Sequence, residues 1–357
     1  MDGITFLNNV EGKLTMAGSI EISVRGKWVR VPSLEMGGKT ILVKGRWIRT
    51  AAVHDEEWLA TELEDPEACV RKLKEHGSNE LRADIFTFAQ KLPATQPRHN
   101  YPMNLESWAV APTSNFKQWW EKLPQETRKN VRRSQKRGVV VAVREFSDDM
   151  VRDIVALNND SPTRQGRPNN HYGKSFEQVK KDYSSFLDRS DLIGAYLGDE
   201  LIGLVKVVYR GEVASILQCL PNARHSDKRP ANALIAKTVE LCEAKGVSYL
   251  TYGLYQYGNK RDNPLLEFKI RNGFEEMLAP RYYAPLTAWG AFCVSSKLHQ
   301  GLIGIVPHNV ISLGIGARAK WCDFLSRRRM SRCSSIAERP NRDRQTECSN
   351  PPAGSSI

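Results

Sequence analysis

Residues 192–220, which read LIGAYLGDELIGLVKVVYRGEVASILQCL, decide the fold class of this chain. They contain three apolar runs, separated by Gly198-Asp199-Glu200 and by Arg210-Gly211-Glu212. Short glycine-containing segments between apolar runs are typical of hairpin turns. The stretch therefore predicts three consecutive antiparallel strands. Their expected bounds are Leu192–Leu197, Leu201–Tyr209 and Val213–Leu220.

The segment that follows predicts a parallel crossover. Pro230 stands where the first residue of a helix is favoured, and this helix is expected to run to about Lys245, just before Gly246. A strand, a second helix and a last strand come next, over Ser248–Leu254, Asn263–Gly273 and Phe274–Tyr283. A meander followed by a βαβ crossover predicts a mixed sheet with helices on both faces, an α/β (α+β) fold.

The segment before the meander completes this sheet. Asn115 can cap a helix over Phe116–Lys136, which Gly138 ends. The valine-rich run Val139–Val143 predicts a buried strand. Two further helices are expected between this strand and the meander, over Ser147–Asn158 and Ser175–Leu187.

The first hundred residues predict a smaller β-rich module. The hexapeptide GKWVRV at residues 26–31 returns as GRWIRT at residues 45–50, and both copies are expected to be strands around a turn at Gly37-Gly38. A helix, a strand and a linker follow, over Asp55–Glu75, Asp84–Phe88 and Pro93–Pro102. We therefore expect domains at 1–103 and 104–286, and a helical segment with a disordered basic tail at 287–357.

Positive charge is concentrated in two segments of a chain of 357 residues with a formal net charge of +12. Residues 113–137 hold eight basic and two acidic side chains, and residues 317–357 hold nine and four. Such excesses indicate either an anionic partner or a solvated helix face. Arg128, Arg132 and Lys136 are spaced by four residues on one helix face, so we expect them to bind phosphate groups of a substrate.

Several function classes are excluded by missing patterns. No GxSxG elbow and no Walker loop occur, which argues against α/β-hydrolases and P-loop enzymes. The seven histidines lack ligand spacing and the seven cysteines form no CxxC pair, so no metal site is expected. No secretory signal and no stretch able to span a membrane are visible, so a cytoplasmic location is expected.

The last predicted helix carries the most specific motif. It reads LLEFKIRNGF over residues 265–274, and the helix before the valine-rich strand carries Leu123-Pro124 ahead of its basic stripe. With the order of strands and helices, these residues resemble the GNAT acyltransferase superfamily and its Fem-type branch, which has a Phe-Lys-x-x-(x)-Gly signature. The resemblance covers residues 139–283 well and residues 116–137 moderately. It implies an enzyme that transfers acyl or aminoacyl groups.

The resemblance also implies where the donor binds. In GNAT enzymes the donor's pyrophosphate lies on backbone N–H groups at the start of the helix after the fourth strand, which here are those of Ala231 and Asn232. Arg224, Lys228 and Arg229 add positive charge beside them, whereas the usual glycines of this loop are absent. The implied co-substrate is acetyl-CoA, an acyl carrier protein or an aminoacyl-tRNA, with no tightly bound cofactor.

Two residues are candidates for the chemistry. Lys269 takes the place of the tyrosine acid of many GNAT enzymes, and the resemblance implies that it stabilises the transition state, as a cation near a developing oxyanion can. The alternative is a surface lysine paired with Glu267 or Asp262. Tyr255 is the second candidate, and strand alternation places it opposite Tyr252. Glu240, Glu243 and Glu267 are available as a general base, and no pattern selects one.

The expected function is acyl transfer to an amino or hydroxyl group of a sugar, glycan or cell-envelope precursor. One alternative is a nucleic-acid-binding protein with a non-catalytic GNAT-like fold, which would use the basic helix and the tail. Another is a peripheral membrane module anchored by residues 298–325 at the inner face of the membrane. The partners implied are a small-molecule or glycan acceptor, a phosphate-bearing donor, and tRNA or an anionic membrane surface.

Overall fold

The computed structural model describes residues 6–7, 15–24, 27–75, 80–164, 167–256 and 264–300. Its strands are β1 (Phe6–Leu7), β2 (Thr15–Val24), β3 (Lys27–Met36), β4 (Lys39–Lys44), β5 (Thr50–Val53), β6 (Ile85–Ala89), β7 (Met103–Pro112), β8 (Val139–Arg144), β9 (Thr163–Arg164), β10 (Arg167–Pro168), β11 (Ser190–Leu197), β12 (Glu200–Arg210), β13 (Val213–Pro221), β14 (Tyr249–Leu254) and β15 (Glu275–Pro285). Its helices are α1 (Pro66–Glu75), α2 (Phe116–Lys122), α3 (Gln125–Lys136), α4 (Asp148–Asn158), α5 (Phe176–Tyr183), α6 (Pro230–Ala244), α7 (Pro264–Arg271) and α8 (Ala288–Ser295).

Thirteen of the described strands form one mixed sheet, in the order β1-β2-β3-β4-β5-β6-β15-β7-β14-β13-β12-β11-β8. The antiparallel meander β11-β12-β13 matches the prediction from residues 192–220. α6 then crosses over to β14, which pairs with β13 in parallel. The predicted mixed α/β architecture is therefore confirmed.

Helices cover both faces of the meander. α6 packs against a core that includes Ile193 and Val205, whereas α4 and α5 pack against a core that includes Leu192 and Leu204. Because neighbouring residues of a strand point to opposite faces, these two cores lie on opposite sides of the sheet. The predicted arrangement of helices on both faces is confirmed.

The last strand, β15, joins the N-terminal strands to the rest of the sheet. It pairs with β6 on one side and with β7 on the other, both in antiparallel register. The rings of Phe88 and Tyr282 stack across the β6–β15 pair at 5.1 Å. Strands on both sides of residue 103 thus belong to one sheet, and one compact unit covers Met1–Val294. The division into domains at that residue stays a prediction.

Two predictions for the N-terminal part are wrong. The copy of the hexapeptide at residues 45–50 is a turn up to Arg49, because Gly45 has a φ of 106° and the Ile48 carbonyl lies over its Cα, where a Cβ would come within 2.1 Å. The helix predicted from Asp55 starts only at Pro66, behind the Asp65 carboxylate that accepts from the Ala68 N–H at 2.7 Å. Before it lies only a short 3₁₀ turn at Glu56–Trp58.

Two predictions around the valine-rich strand are also wrong. The single helix expected over 116–136 is broken into α2 and α3, since Leu123 precedes Pro124 and the residue before a proline is disfavoured in a helix. β8 is not a buried strand but lies at the edge of the sheet, where Val140 is 61% exposed. An apolar run does not by itself distinguish an edge strand from a central one.

The C-terminal segment is described only in part. The second compact unit, Ser295–Ile357, is described over residues 295–300, which end α8 and form a 3₁₀ turn at Leu298–Gln300. The predicted disordered tail and most of the predicted membrane anchor lie outside the described residues. Within the described part, no helix has the length and apolar character needed to cross a bilayer.

Gly273 joins α7 to β15 in contact with α2. Its φ is 78°, and a Cβ on it would lie 2.7 Å from the Trp119 indole nitrogen, which donates to the Asn272 carbonyl at 3.2 Å. We expect Gly273→Ala to lower the free energy of unfolding by about 1–2 kcal/mol for the left-handed backbone and by about 1–3 kcal/mol more for the clash. Gly246→Ala is the matched control, because Gly246 has a φ of 68° and open space around it. Urea unfolding that shows equal losses for the two variants would contradict the packing argument.

Candidate active site

The centre of the sheet opens where β13 and β14 separate. The two strands pair only from Val213 opposite Tyr249 to Ser215 opposite Thr251, and then diverge towards their carboxyl ends. β13 carries an extra residue between Ile216 and Gln218 in its register with β12, and β14 is irregular around Gly253, whose φ is 58°. Such bulges break the pairing and leave backbone groups in the sheet without a neighbouring strand. The gap between the strands can admit an extended ligand.

α6 begins beside this opening. Arg229 precedes it in the left-handed conformation with a φ of 58°, and no side chain caps the helix. The N–H groups of Ala231 and Asn232 lie in the first turn, where no intrahelical carbonyl is available to them. The Asn232 amide donates to the Asn272 side chain at 3.0 Å, which ties this end of α6 to the end of α7.

Two of the three basic residues predicted before α6 already have acidic partners. The guanidinium of Arg224 lies 2.6 Å from Asp160, in the loop after α4, and Lys228 lies 2.9 Å from Asp227. Asp227 also pairs with Arg137 of α3 at 3.2 Å. The structure therefore brings the loop and the basic helix together, with part of their charge compensated.

The predicted stripe on α3 is only partly exposed. Arg132 and Lys136 face solvent, and the Arg132 guanidinium lies 5.7 Å from the Trp120 ring centroid. Arg128 is half-buried, and its Nε is buried with no hydrogen-bond partner in the described part of the chain. α3 packs on α6, so the stripe lies on the same side of the sheet as the start of α6.

Lys269 is buried at the edge of the opening. Its side chain is fully enclosed, its ammonium donates to the Leu254 carbonyl at 2.6 Å, and it lies 4.9 Å from the Tyr252 ring centroid. Burial lowers its pKa to about 8. The alternative of a surface lysine is wrong, because the side chain is buried; Glu267 pairs with Arg271 at 2.9 Å, and Asp262 lies outside the described residues. The ammonium thus donates to a backbone carbonyl at the carboxyl end of β14, beyond the residues that pair with β13.

Strand alternation predicted that Tyr252 and Tyr255 lie on opposite sides of β14, and this prediction is wrong. Both pack against the same core cluster under α6, because the left-handed Gly253 interrupts the alternation of β14. The Tyr255 N–H donates to the Ser107 carbonyl at 2.8 Å. Burial, with Glu276 and Glu275 nearby, raises the pKa of Tyr255, which keeps the phenol protonated.

A cavity of about 240 Å³ lies next to Leu254, and nothing in the sequence indicated it. Its charged lining residues come from distant parts of the chain; they are Glu56, Glu57, Lys91, Glu106, Arg210 and Arg281. Three glutamates considered from the sequence are engaged elsewhere: Glu240 pairs with Lys237, Glu243 accepts from the Phe116 N–H, and Glu267 pairs with Arg271. The acidic residues available at the opening are thus those of the N-terminal part.

Comparison with known proteins shows which part of the chain is similar to a known family. A family model described as an acetyltransferase (GNAT) domain matches residues 122–261. The crystal structure of FemX superposes with a TM-score of 0.51 at 10% sequence identity, over 74% of this chain and 87% of that one. Residues 122–261 are thus similar to an acetyltransferase (GNAT) domain, and the fold of the chain resembles that of FemX. The FemX similarity is one of fold, and it extends beyond the GNAT domain because it covers more residues than the family model.

Two further structures superpose on this chain with lower TM-scores than FemX. L-PGS from Bacillus licheniformis gives a TM-score of 0.46 at 13% identity, over 74% of this chain and 86% of that one. The C-terminal domain of a putative lysylphosphatidylglycerol synthetase from Agrobacterium fabrum gives 0.46 at 14% identity, over 75% and 86%. No curated protein matches the sequence of this chain.

The burial of Lys269 predicts a pH-dependent stability. Its pKa is about 8 in the folded protein and 10.5 when exposed, so the unfolded chain binds more protons between these two pH values and the free energy of unfolding rises with pH there. We expect the free energy of unfolding of the wild type, relative to Lys269→Met, to be constant below pH ~8 and to rise by about 3 kcal/mol up to pH ~10.5.

Denaturant unfolding at a series of pH values measures this difference. Lys129→Met, at an exposed position of α3, is the control, and its difference from the wild type should not change over this window. A Lys269→Met difference that is flat from pH ~8 to ~10.5 would show that the ammonium is solvated.

Proposed function

We propose that this acyltransferase moves an acyl or aminoacyl group from an activated, phosphate-bearing donor to an amino or hydroxyl group of a sugar, glycan or cell-envelope precursor. The observation that carries the proposal is the buried Lys269 ammonium at the edge of the gap between β13 and β14. A donor in that gap would bring its carbonyl carbon to the carboxyl end of β14, next to the cavity for an acceptor. Acetyl-CoA, an acyl carrier protein and an aminoacyl-tRNA are the candidate donors.

The chemistry proposed for Lys269 is electrostatic. Attack on an ester or thioester carbonyl places negative charge on its oxygen, and a preorganised cation stabilises that charge in a site shielded from water. Its packing by Tyr252 and its bond to Leu254 hold the ammonium in place before the donor arrives. Tyr255, two residues beyond Gly253, is proposed as a donor of a proton to the leaving group, because its phenol stays protonated.

The phosphate groups of the donor are assigned to the start of α6. The N–H groups of Ala231 and Asn232 and the positive end of the helix dipole favour an anion there. Arg224, Lys228 and Arg229 surround this end, and Arg132 and Lys136 extend the positive surface along α3. The location proposed for the protein is the cytoplasm, including the inner face of the membrane if the acceptor is lipid-linked.

The proposal is tested by product formation. The full-length protein is incubated with each of the three donors and with amino- or hydroxyl-bearing envelope precursors, and acylated product is detected by mass spectrometry. Transfer from one donor supports the proposal. Salt-sensitive RNA binding without transfer would instead favour a nucleic-acid-binding protein, and binding only to anionic vesicles would favour a membrane module.

Lys269→Met is expected to lower turnover by about 10²–10³, the usual cost of removing one oxyanion donor. In the wild type kcat/KM should fall as the pH rises through ~8, because the cation loses its proton. Lys269→Arg should restore part of the activity and abolish that fall, since a guanidinium keeps its charge.

Lys206→Met is the matched control for this series. Lys206 is equally buried, donates to the Tyr183 carbonyl at 2.6 Å, and has a pKa lowered by burial to about 8, but it lies away from the opening. Lys206→Met should keep the turnover of the wild type and the fall of kcat/KM as the pH rises through ~8. Turnover of Lys269→Met within about twofold of the wild type would exclude the oxyanion role.

The positive surface of α3 is tested separately. We expect a variant with Arg132→Glu, Lys136→Glu and Arg128→Gln to bind acetyl-CoA about tenfold more weakly and with a flatter salt dependence, because charge-assisted contacts to phosphate are lost. The control variant reverses Arg152, Lys180 and Lys181 on α4 and α5, across the sheet. Calorimetric titration at low and moderate salt measures both. Equal effects of the two variants would mean that the α3 stripe is a solvated face.

A further inference from the structure

The cavity beside Leu254 has walls from both parts of the chain. Glu56, Glu57 and Lys91 come from the N-terminal part, and Arg210 comes from the end of β12. These side chains are brought together because β15 lies between β6 and β7 and pairs with both, and β7 pairs with β14. A cavity of about 240 Å³ has room for a small polar group such as one sugar unit.

Two of its carboxylates are already neutralised. Arg281 of β15 lies 2.9 Å from Glu56 and 2.6 Å from Glu106, so one guanidinium bridges both. The Glu56 carboxylate also accepts from the Ala89 N–H at 2.7 Å. This bridge is enclosed and hydrogen-bonded, and we assign it a positioning role.

Arg210 has no carboxylate bound directly to it, and the charge of Glu57 acts on it only at longer range. Its Nη2 donates to the Ser215 hydroxyl at 2.9 Å, while its Nε is buried without a hydrogen-bond partner in the described part of the chain. Nor does any carboxylate of the described residues lie within ion-pair distance of it. Lys91 lies nearby and donates to the Glu56 backbone carbonyl at 2.5 Å. A half-buried guanidinium whose Nε has no hydrogen-bond partner and whose countercharge is not in direct contact is costly, and an anionic ligand would lower that cost.

Glu57 is the acidic counterpart of Arg210. Its carboxylate forms no hydrogen bond or ion pair with the residues that the structure describes, and it lines the cavity. Burial raises its pKa, and the charges of Arg210, Lys91 and Arg281 only partly oppose this effect. Burial and the neighbouring Arg210 also lower the pKa of Lys91 to about 7. The cavity thus presents one carboxylate and one guanidinium that act on each other through their charges but form no direct ion pair.

We propose that the cavity binds the reacting end of an acceptor that carries both an amine and an anionic group, with the amine facing Glu57 and the anionic group facing Arg210 and Lys91. The inference rests on the proposed acyl transfer and narrows its acceptor. A phosphate and a carboxylate share the chemistry that Arg210 would recognise. A second cavity of about 250 Å³ also borders Lys91 and Arg210 and can take the remainder of a longer acceptor.

Glu57 would also take the proton of the acceptor. The bound ammonium gives one proton to the Glu57 carboxylate, and the free amine attacks the carbonyl carbon of the donor. The C–N bond forms, the bond from carbon to the sulfur or oxygen of the leaving group breaks, and the leaving thiolate or alkoxide is protonated from Tyr255. The second proton of the attacking nitrogen passes to solvent, Glu57 then releases the proton that it accepted to solvent, and Tyr255 regains its proton from solvent. A carboxylate with a raised pKa is suited to this transfer near neutral pH.

The test uses four sugars titrated into the full-length protein by calorimetry, without a donor. Glucosamine 6-phosphate and muramic acid carry an amine with a phosphate or a carboxylate, glucosamine carries the amine alone, and glucose 6-phosphate carries the anion alone. The wild type should bind one of the first two about tenfold more tightly than either of the last two. Which of the first two binds more tightly identifies the anion.

Two variants separate the charges. Arg210→Gln should remove the advantage over glucosamine, and Glu57→Gln should remove the advantage over glucose 6-phosphate. Arg152→Gln and Glu67→Gln, at exposed positions of α4 and α1, should keep both. If Arg210→Gln unfolds, Arg210→Lys replaces it and should keep only part of the preference for an anion.

The outcomes distinguish the site from the function. Equal affinity for all four sugars, no binding of any, or unchanged preferences in the variants would overturn the proposed site. Acyl transfer by the wild type without these preferences would leave the function standing and remove only the site. Charge-selective binding without transfer from any donor would keep the site and reject the function.

Discussion

β13 and β14 hydrogen bond over only three residue pairs, and the arrangement of the site depends on that limit. A strand in the middle of a sheet must find partners for its N–H and C=O groups, since buried backbone groups are rarely left unpaired. Beyond Thr251 those partners have to come from elsewhere. One is the Lys269 ammonium, which donates to the Leu254 carbonyl, whereas the Tyr255 N–H keeps an ordinary strand partner in the Ser107 carbonyl of β7. The gap is thereby kept open with polar groups along its edge.

The short pairing of β13 with β14 also accounts for the contacts that fix the position of α7. A lysine can serve the Leu254 carbonyl only if its helix is fixed against the sheet. Gly273 allows α7 to turn into β15 against Trp119, and Asn272 connects that turn to α6. A buried cation in this place is acceptable because it is hydrogen-bonded and lies against the Tyr252 ring. Binding of the donor and positioning of the charge are therefore properties of one packed unit.

The sequence predicted the parts of this fold that depend on local signals. The turns of the meander, Pro230 at the start of α6 and Gly273 after α7 are set by residues close to one another in the chain. Other features depend on distant partners. The valines of β8 suggest a buried strand, but whether a strand lies at the edge of a sheet depends on distant partners, and among the described strands β8 pairs with β11 alone. Glu57 and Arg210 likewise line one cavity only because β6, β15, β7 and β14 pair with one another. A repeated hexapeptide likewise gave a strand in one place and a turn in the other, where the Ile48 carbonyl closes over Gly45.

β15 connects residues that lie far apart in the chain: Gln90 and Tyr282, hydrogen-bonded at 3.0 Å, are 192 positions apart. Contacts of such separation form late, because the entropy of closing a long loop is lost before the contact is gained. During synthesis, the edge of β6 that pairs with β15 therefore stays unpaired until almost all of the described chain has left the ribosome. The cavity walls from the N-terminal part and from β12 come together only then. Before β15 is made, the nascent chain therefore lacks a complete cavity. The unpaired edge of β6 is then open to pairing with other chains, which chaperones would have to prevent.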